Sequence, residues 1–152
     1  MMKSKYDTTT QEYVEIIHEI QKSQKVARVK DIAQNRGVTR SSVSTALNLL
    51  KEKKLIKHES YGLVELTSKG EELARMLDRR HAIIQKFFTD VLGIQSEIAD
   101  ADACKMEHHV SSETMTCLIR FLAFIKEYPE MIEEYLKNFR NDALVQKDVS
   151  GD

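Results

Sequence analysis

Residues 26–70 read VARVKDIAQNRGVTRSSVSTALNLLKEKKLIKHESYGLVELTSKG, and this stretch decides the fold. Val29, Ile32 and Ala33 form the apolar face of a short helix, and Gly37 marks its C-terminal cap. Thr39 or Arg40 opens the next helix, which runs on through SSVSTALNLLKEKK with Val43, Leu47 and Leu50 on its buried face. Two short helices joined by a tight glycine turn make a helix-turn-helix pattern. LIKHES, a turn at Tyr61 and Gly62, and then LVELT read as two short strands around a hairpin. A hairpin directly after the second helix of that motif is the wing of a winged helix. Any one piece is weak evidence, but the four in this order specify the architecture.

Working outward, Tyr13, Ile16, Ile17 and Ile20 recur at helical spacing over residues 10–22, with Thr8, Thr9 or Thr10 available as N-cap. Beyond the wing, Ser68-Lys69-Gly70 leads into a long helix expected over residues 71–92. Leu73, Leu77, Ile84, Phe87 and Phe88 lie on its inner side, and Gly93 ends it. Further helices are expected over residues 96–109, then from a cap at Ser111 or Ser112 to Pro129, and then over PEMIEEYLKNF. The expected fold is mainly α: a winged helix-turn-helix with a small β-hairpin wing over residues 1–70, followed by an all-helical dimerisation domain over 71–142. Residues 143–152 are expected to form a disordered tail.

Composition narrows the function classes. Hydrophobic residues make up 41% and charged residues 31%, with one proline, which fits a soluble helical globule. No apolar run approaches the roughly 20 residues that span a bilayer, and MMKSKYDTTTQEY has no signal-peptide core, so a cytoplasmic location is expected. Residues 1–70 carry 13 Lys/Arg against 8 Asp/Glu, whereas residues 71–152 carry 10 against 16. A basic first half beside an acidic second half suggests one part for nucleic acid and another for a different ligand. Cys104 and Cys117 are 13 residues apart, and in a reducing compartment each reads as a thiolate ligand or a buried apolar thiol rather than half of a disulfide. Cys117 is expected in buried helix packing.

Two constellations carry chemistry. The first is the start of the second helix of the motif, which enters the major groove in this class of fold. Its residues Thr39, Arg40, Ser41, Ser42, Ser44 and Thr45 are short hydroxyls plus one guanidinium, able to bond phosphates or base edges. The bland alternative is a helix start that collected Ser and Thr as caps. Arg28 and Lys30, which open the preceding helix, and Lys51, Lys53, Lys54 and Lys57 are placed to neutralise phosphates, and Tyr61 at the hairpin tip joins the DNA-binding set. The second constellation is Cys104-Lys105-Met106-Glu107-His108-His109. Positions i, i+3 and i+4 of a helix share a face, so Cys104, Glu107 and His108 project together as a candidate divalent transition-metal site. His81 precedes it, and Glu12 and Glu15 share a face of the first helix. Each of these residues alone also reads as solvated surface or core.

The runs ARVKDIA, TRSSVSTALNLLKEKKLI, YGLVELTSKG, RRH and C-x-x-E-H-H-V-S, in that order over residues 8–125, resemble the diphtheria toxin repressor and manganese-transport regulator family. The resemblance implies a homodimeric repressor that binds a palindromic operator on double-stranded DNA, with Fe2+ or Mn2+ as corepressor bridging the first helix to the dimerisation domain. It implies a ligand set of Glu12, Glu15, His81, Cys104, Glu107 and His108. The manganese branch has a carboxylate where Cys104 stands, and the iron branch has methionine where Glu12 stands, so this chain is a hybrid. The iron branch's ancillary site maps onto His81, Gln85 and Asp100, where Gln85 is a poor anionic ligand. A binuclear arrangement centred on Glu15 and Glu107 is the alternative. The third, SH3-like domain of longer members is expected to be absent. A thiolate prefers Fe2+, Co2+ or Zn2+ over Mn2+, so Fe2+ is expected first and Mn2+ next, with Zn2+ or Co2+ able to substitute in vitro. No enzymatic activity, membrane partner or small organic substrate is expected. The competing readings are a winged-helix repressor not gated by metal, a metal-dependent hydrolase built on the Cys/His/Glu cluster, and a protein-interaction module.

Overall fold

The computed structural model describes residues 6–24, 26–58 and 62–141. The chain divides into two compact units, residues 1–80 and 81–152. The first unit contains α1 (Thr8–Ser23), β1 (Ala27–Arg28), α2 (Val29–Arg36), α3 (Arg40–Glu52), β2 (Ile56–His58), β3 (Leu63–Leu66) and the first part of α4 (Ser68–Lys86). This is the winged helix-turn-helix with one addition. The wing strands pair antiparallel with Ile56 opposite Leu66 and His58 opposite Val64, and β1 joins the far side of β3 with Ala27 opposite Val64. The sheet order is therefore β1-β3-β2. Arg28 stands at the N-cap of α2, as expected, and is also the second residue of β1. A two-residue strand is too short to leave a period-2 signal, so only its partner reveals it.

The helix-turn-helix closes as its sequence requires. Gly37 has φ 69°, and Val38 N–H donates to the Ala33 carbonyl at 3.1 Å. A left-handed residue at this position is cheap only for glycine. Thr39 caps α3, its hydroxyl accepting from Ser42 N–H at 3.2 Å. The core beneath gathers Val14 and Ile17 of α1, Ile32 of α2, Val43, Leu47 and Leu50 of α3, Val64 of the wing, and Leu73 and Leu77 of α4. Those α4 side chains explain why the unit extends to residue 80, ten residues past the expected boundary.

The N-cap of α1 is Asp7, not one of the threonines. Its carboxylate accepts from Thr10 N–H at 2.9 Å and from the Thr10 hydroxyl at 2.8 Å. Lys53, after α3, donates to Asp7 at 2.8 Å and to the Thr10 hydroxyl at 2.6 Å. Lys53 is thus an internal tie rather than the free phosphate contact expected of it. The Lys53 hydrogen bond, followed by the Thr10 N–H, holds the Asp7 carboxyl far below the usual carboxylate range. Asp7→Ala is expected to cost about 1 kcal/mol at neutral pH, the usual worth of such a cap. A depressed folded-state pKa contributes stability above the unfolded-state value and loses it as pH falls. The gap between wild type and variant in urea melts should therefore narrow below about pH 4.

The second unit holds the rest of α4, α5 (Ser96–Met106), α6 (Ser112–Glu127) and α7 (Pro129–Asn141). Its core is small: Ile84, Ala103 and Met115, with Ile83, Phe88, Val110 and Leu118 packed against them. The long helix is not α-helical through residue 92. It stops at Lys86 and continues as a π-helical turn over Phe87–Val91, with Leu92 N–H reaching back to the Phe87 carbonyl at 3.3 Å. Such widened turns often occur at functional sites. Ile98, Met106, Ile119, Phe121, Phe124 and Tyr128 are exposed along α5 and α6. Cys117 is exposed too, contrary to the expectation of buried packing. Among the described residues no helix is long and apolar enough to cross a membrane. The expected tail, 143–152, lies outside the described residues.

Candidate metal centre and DNA-reading helix

In the helical unit, Ala99, Ala103 and Glu107 follow one another at i, i+4 spacing, and all three are buried. α5 ends at Met106, three residues before its expected limit, and Glu107 closes it as C-cap with its N–H donating to the Ala103 carbonyl at 2.9 Å. Val110 N–H then folds back onto the Met106 carbonyl at 3.1 Å, which sets His108 and His109 in a tight turn.

Glu107 is only 2% exposed and meets an imidazole at each oxygen. His81 Nδ1 lies 3.0 Å from Glu107 Oε2, and His108 Nε2 lies 3.6 Å from Oε1. The other nitrogen of His81, Nε2, lies 3.0 Å from Asp100 Oδ1, and the Gln85 amide donates to that same oxygen at 3.3 Å. A buried carboxylate with two imidazoles is a nitrogen and oxygen donor set suited to a first-row divalent metal. An anion this buried is costly unless paired, and His81 and His108 lie against it.

The structure thus brings His81, Glu107 and His108 together, with Asp100 and Gln85 behind His81. Cys104 follows the buried Ala103 and is itself exposed. Glu12 and Glu15 belong to the first unit, both half-buried on α1. Glu12 accepts from Arg36, at the end of α2, at 2.5 Å, and the Arg36 guanidinium sits 4.9 Å above the Tyr13 ring. Sequence reading missed this pair, because nothing local links positions 24 residues apart.

At the start of α3, Thr39, Arg40, Ser41, Ser42, Ser44 and Thr45 are all exposed. The Ser44 hydroxyl donates to the Arg40 carbonyl at 2.9 Å and Thr45 to the Ser41 carbonyl at 3.2 Å. Both hydroxyls spend their proton on the helix and turn acceptor lone pairs outward. Arg28 and Lys30 are exposed, as are Lys51, Lys54 and Lys57. Tyr61 lies outside the described residues.

Two family models match in tandem. Residues 5–64 match the N-terminal DNA-binding domain of the iron-dependent repressors, and residues 67–140 match their metal-binding and dimerisation domain. The transcriptional regulator MntR of Escherichia coli O157:H7 is 40% identical over 104 residues, covering 68% of this chain and 66% of that protein. MntR of Salmonella typhimurium (strain LT2) is 38% identical over 117 residues, covering 77% of this chain and 72% of that one. A solved manganese-dependent transcriptional repressor in complex with manganese superposes with a TM-score of 0.68 at 31% identity, over 76% of this chain and 53% of its own. The chain therefore spans just under two thirds of the Escherichia coli relative and about half of the solved repressor. With both domain matches in order and relatives near 40% identity, the chain belongs to the iron-dependent repressor family of metal-dependent transcriptional regulators.

Proposed function

We propose that this chain is a metal-dependent transcriptional repressor that acts as a homodimer in the cytoplasm on a palindromic operator. The observation that carries the reading is the buried Glu107 between His81 and His108, in the unit matching a metal-binding domain. The proposed ligands are Glu12, Glu15, His81, Cys104, Glu107 and His108. A bound divalent cation would neutralise these carboxylates and hold donors from separate helices in one arrangement. Restricting that freedom beforehand lowers the ordering cost of binding DNA.

The DNA contacts are assigned to Thr39, which caps α3, to Arg40, Ser41, Ser42 and Ser44 on it, and to Arg28, Lys30 and Tyr61. Arg40 is the one long cation among the α3 contacts, and the hydroxyls around it offer acceptors to base amino groups or accept adjustments of register. The exposed apolar faces of α5 and α6 supply the surface a second copy of the chain would cover.

For the metal, the sequence expectation put Fe2+ first on the strength of the Cys104 thiolate. With Cys104 exposed, the central donors are carboxylate and imidazole, which favour a thiolate-loving metal less. A solved relative that is a manganese-dependent repressor points the same way. We therefore rank Mn2+ ahead of Fe2+. The test is an anaerobic titration of promoter fragments with protein alone and with Mn2+, Fe2+ or Zn2+. Metal-dependent tight binding is expected, weakening steeply with salt as phosphate contacts require. Operator binding that ignores metal would overturn the reading.

A further inference from the structure

We propose that Asp100 is a positioning residue: it holds His81 by Nε2 so that Nδ1 is the nitrogen offered to the metal. The proposal rests on the metal-centre reading above and deepens it. An imidazole has two chemically similar nitrogens, and which one serves as donor is set by the partner of the other. Here the two face different surroundings. Nδ1 points to the buried Glu107 at 3.0 Å, inside the donor cluster, and Nε2 points to the exposed Asp100 at 3.0 Å. Each nitrogen thus faces a carboxylate oxygen and can donate to it; an ion entering the cluster would take the place of the inner proton on Nδ1, while Asp100 keeps the outer one on Nε2.

Asp100 is itself steadied. Gln85 lies one turn beyond His81 on α4, and its amide donates to the same Asp100 oxygen at 3.3 Å. Gln85, Asp100 and His81 thus form a short chain from the surface inward, with the imidazole as its inner end. A carboxylate behind a metal-bound histidine fixes ring orientation and raises ligand basicity, and losing such a partner typically costs about 10–100-fold in metal affinity. The same three positions are where the resemblance places an ancillary ion. With a neutral amide at Gln85, only Asp100 contributes an anion there, and that anion is turned to the ring. The geometry therefore assigns the trio to support of the main centre rather than to a second ion.

The experiment compares wild type with Asp100→Ala, Asp100→Asn and His81→Ala, using Mn2+ calorimetry for affinity and stoichiometry. The 15N ring shifts of His81 are recorded on Zn2+-loaded protein. Asp100→Ala is expected to weaken Mn2+ about 10–100-fold at unchanged stoichiometry. Asp100→Asn should stay near wild type, since the carboxamide oxygen still accepts the Nε2 proton, and the Zn2+-loaded ring should show Nδ1 as the metallated nitrogen. Because Asp100 is exposed, loss of folding is not the expected cause of any change, and circular dichroism checks it. Unchanged affinity in Asp100→Ala, or loss of one ion with the remaining affinity intact, overturns the proposal. Metallation at Nε2 overturns it as well. Wild-type affinity in His81→Ala overturns the ligand assignment itself, so the two failures are distinguishable.

Discussion

Glu107→Gln is expected to abolish metal-dependent operator binding while leaving the fold in place. The carboxylate is buried, and each of its oxygens meets a different imidazole. Glutamine keeps the volume and can still accept from one ring and donate to the other, so thermal melting should change little. What it loses is the anion. Replacing a ligand should weaken the metal by at least about 100-fold, since even a residue that merely supports a ligand is worth 10–100-fold. Mn2+ calorimetry and gel shifts at saturating and limiting metal check this. A variant that still shifts the operator at wild-type metal concentrations would place the centre elsewhere.

Gly70→Ala is the other large effect, and it concerns folding. Gly70 lies in the first turn of α4, packed where the chain leaves the wing. A Cβ built on it would lie 2.1 Å from the Leu55 carbonyl oxygen, 3.2 Å from the Leu55 carbonyl carbon and 3.0 Å from Leu66 Cδ2. Two of those atoms are backbone, so no rotamer change relieves the clash. That carbonyl also accepts from Thr67 N–H at 2.9 Å, so moving it breaks the contact joining the end of α3 to the start of α4. Overpacking usually costs 1–3 kcal/mol, and a backbone clash belongs at the upper end or beyond, about 3 kcal/mol or more. At about 4–8 °C per kcal/mol for a unit of this size, melting should fall by more than about 10 °C. An unchanged melting temperature would mean that α4 can shift away from Leu55 at little cost.

The sequence-legible features were those with a local cause. Gly37 and Thr39 punctuate the helix-turn-helix because a left-handed residue and a hydroxyl cap are backbone requirements of the turn itself. Val43, Leu47 and Leu50 face inward because their spacing matches the helix. The features that escaped depend on distant partners or on hydrogen-bond shifts with no residue signature. β1 exists through its pairing with Val64 and Leu63. The π-helical turn at Phe87 changes the hydrogen-bond span without changing the apolar pattern. Asp7 outcompetes three adjacent threonines as cap, helped by Lys53 from 46 residues away. In the candidate centre, Glu107 and His108 were legible from spacing. The exposure of Cys104 was not, because the helix ends just beyond it and spacing alone does not say which side of the stripe is covered.

The pairing of Glu12 with Arg36 has a consequence for how much metal the protein needs. If Glu12 serves as a ligand, the chain carries its own competing cation, already seated and half shielded from solvent. Each ion must then displace a guanidinium that also rests on Tyr13. A pair of this exposure is worth up to about 1 kcal/mol, or roughly a fivefold change in an equilibrium constant. Such a competitor sets a threshold: it raises the free-metal level at which repression begins, without altering the ligands that choose the metal. Sensitivity and selectivity would then be adjustable separately, the first at the end of α2 and the second around Glu107.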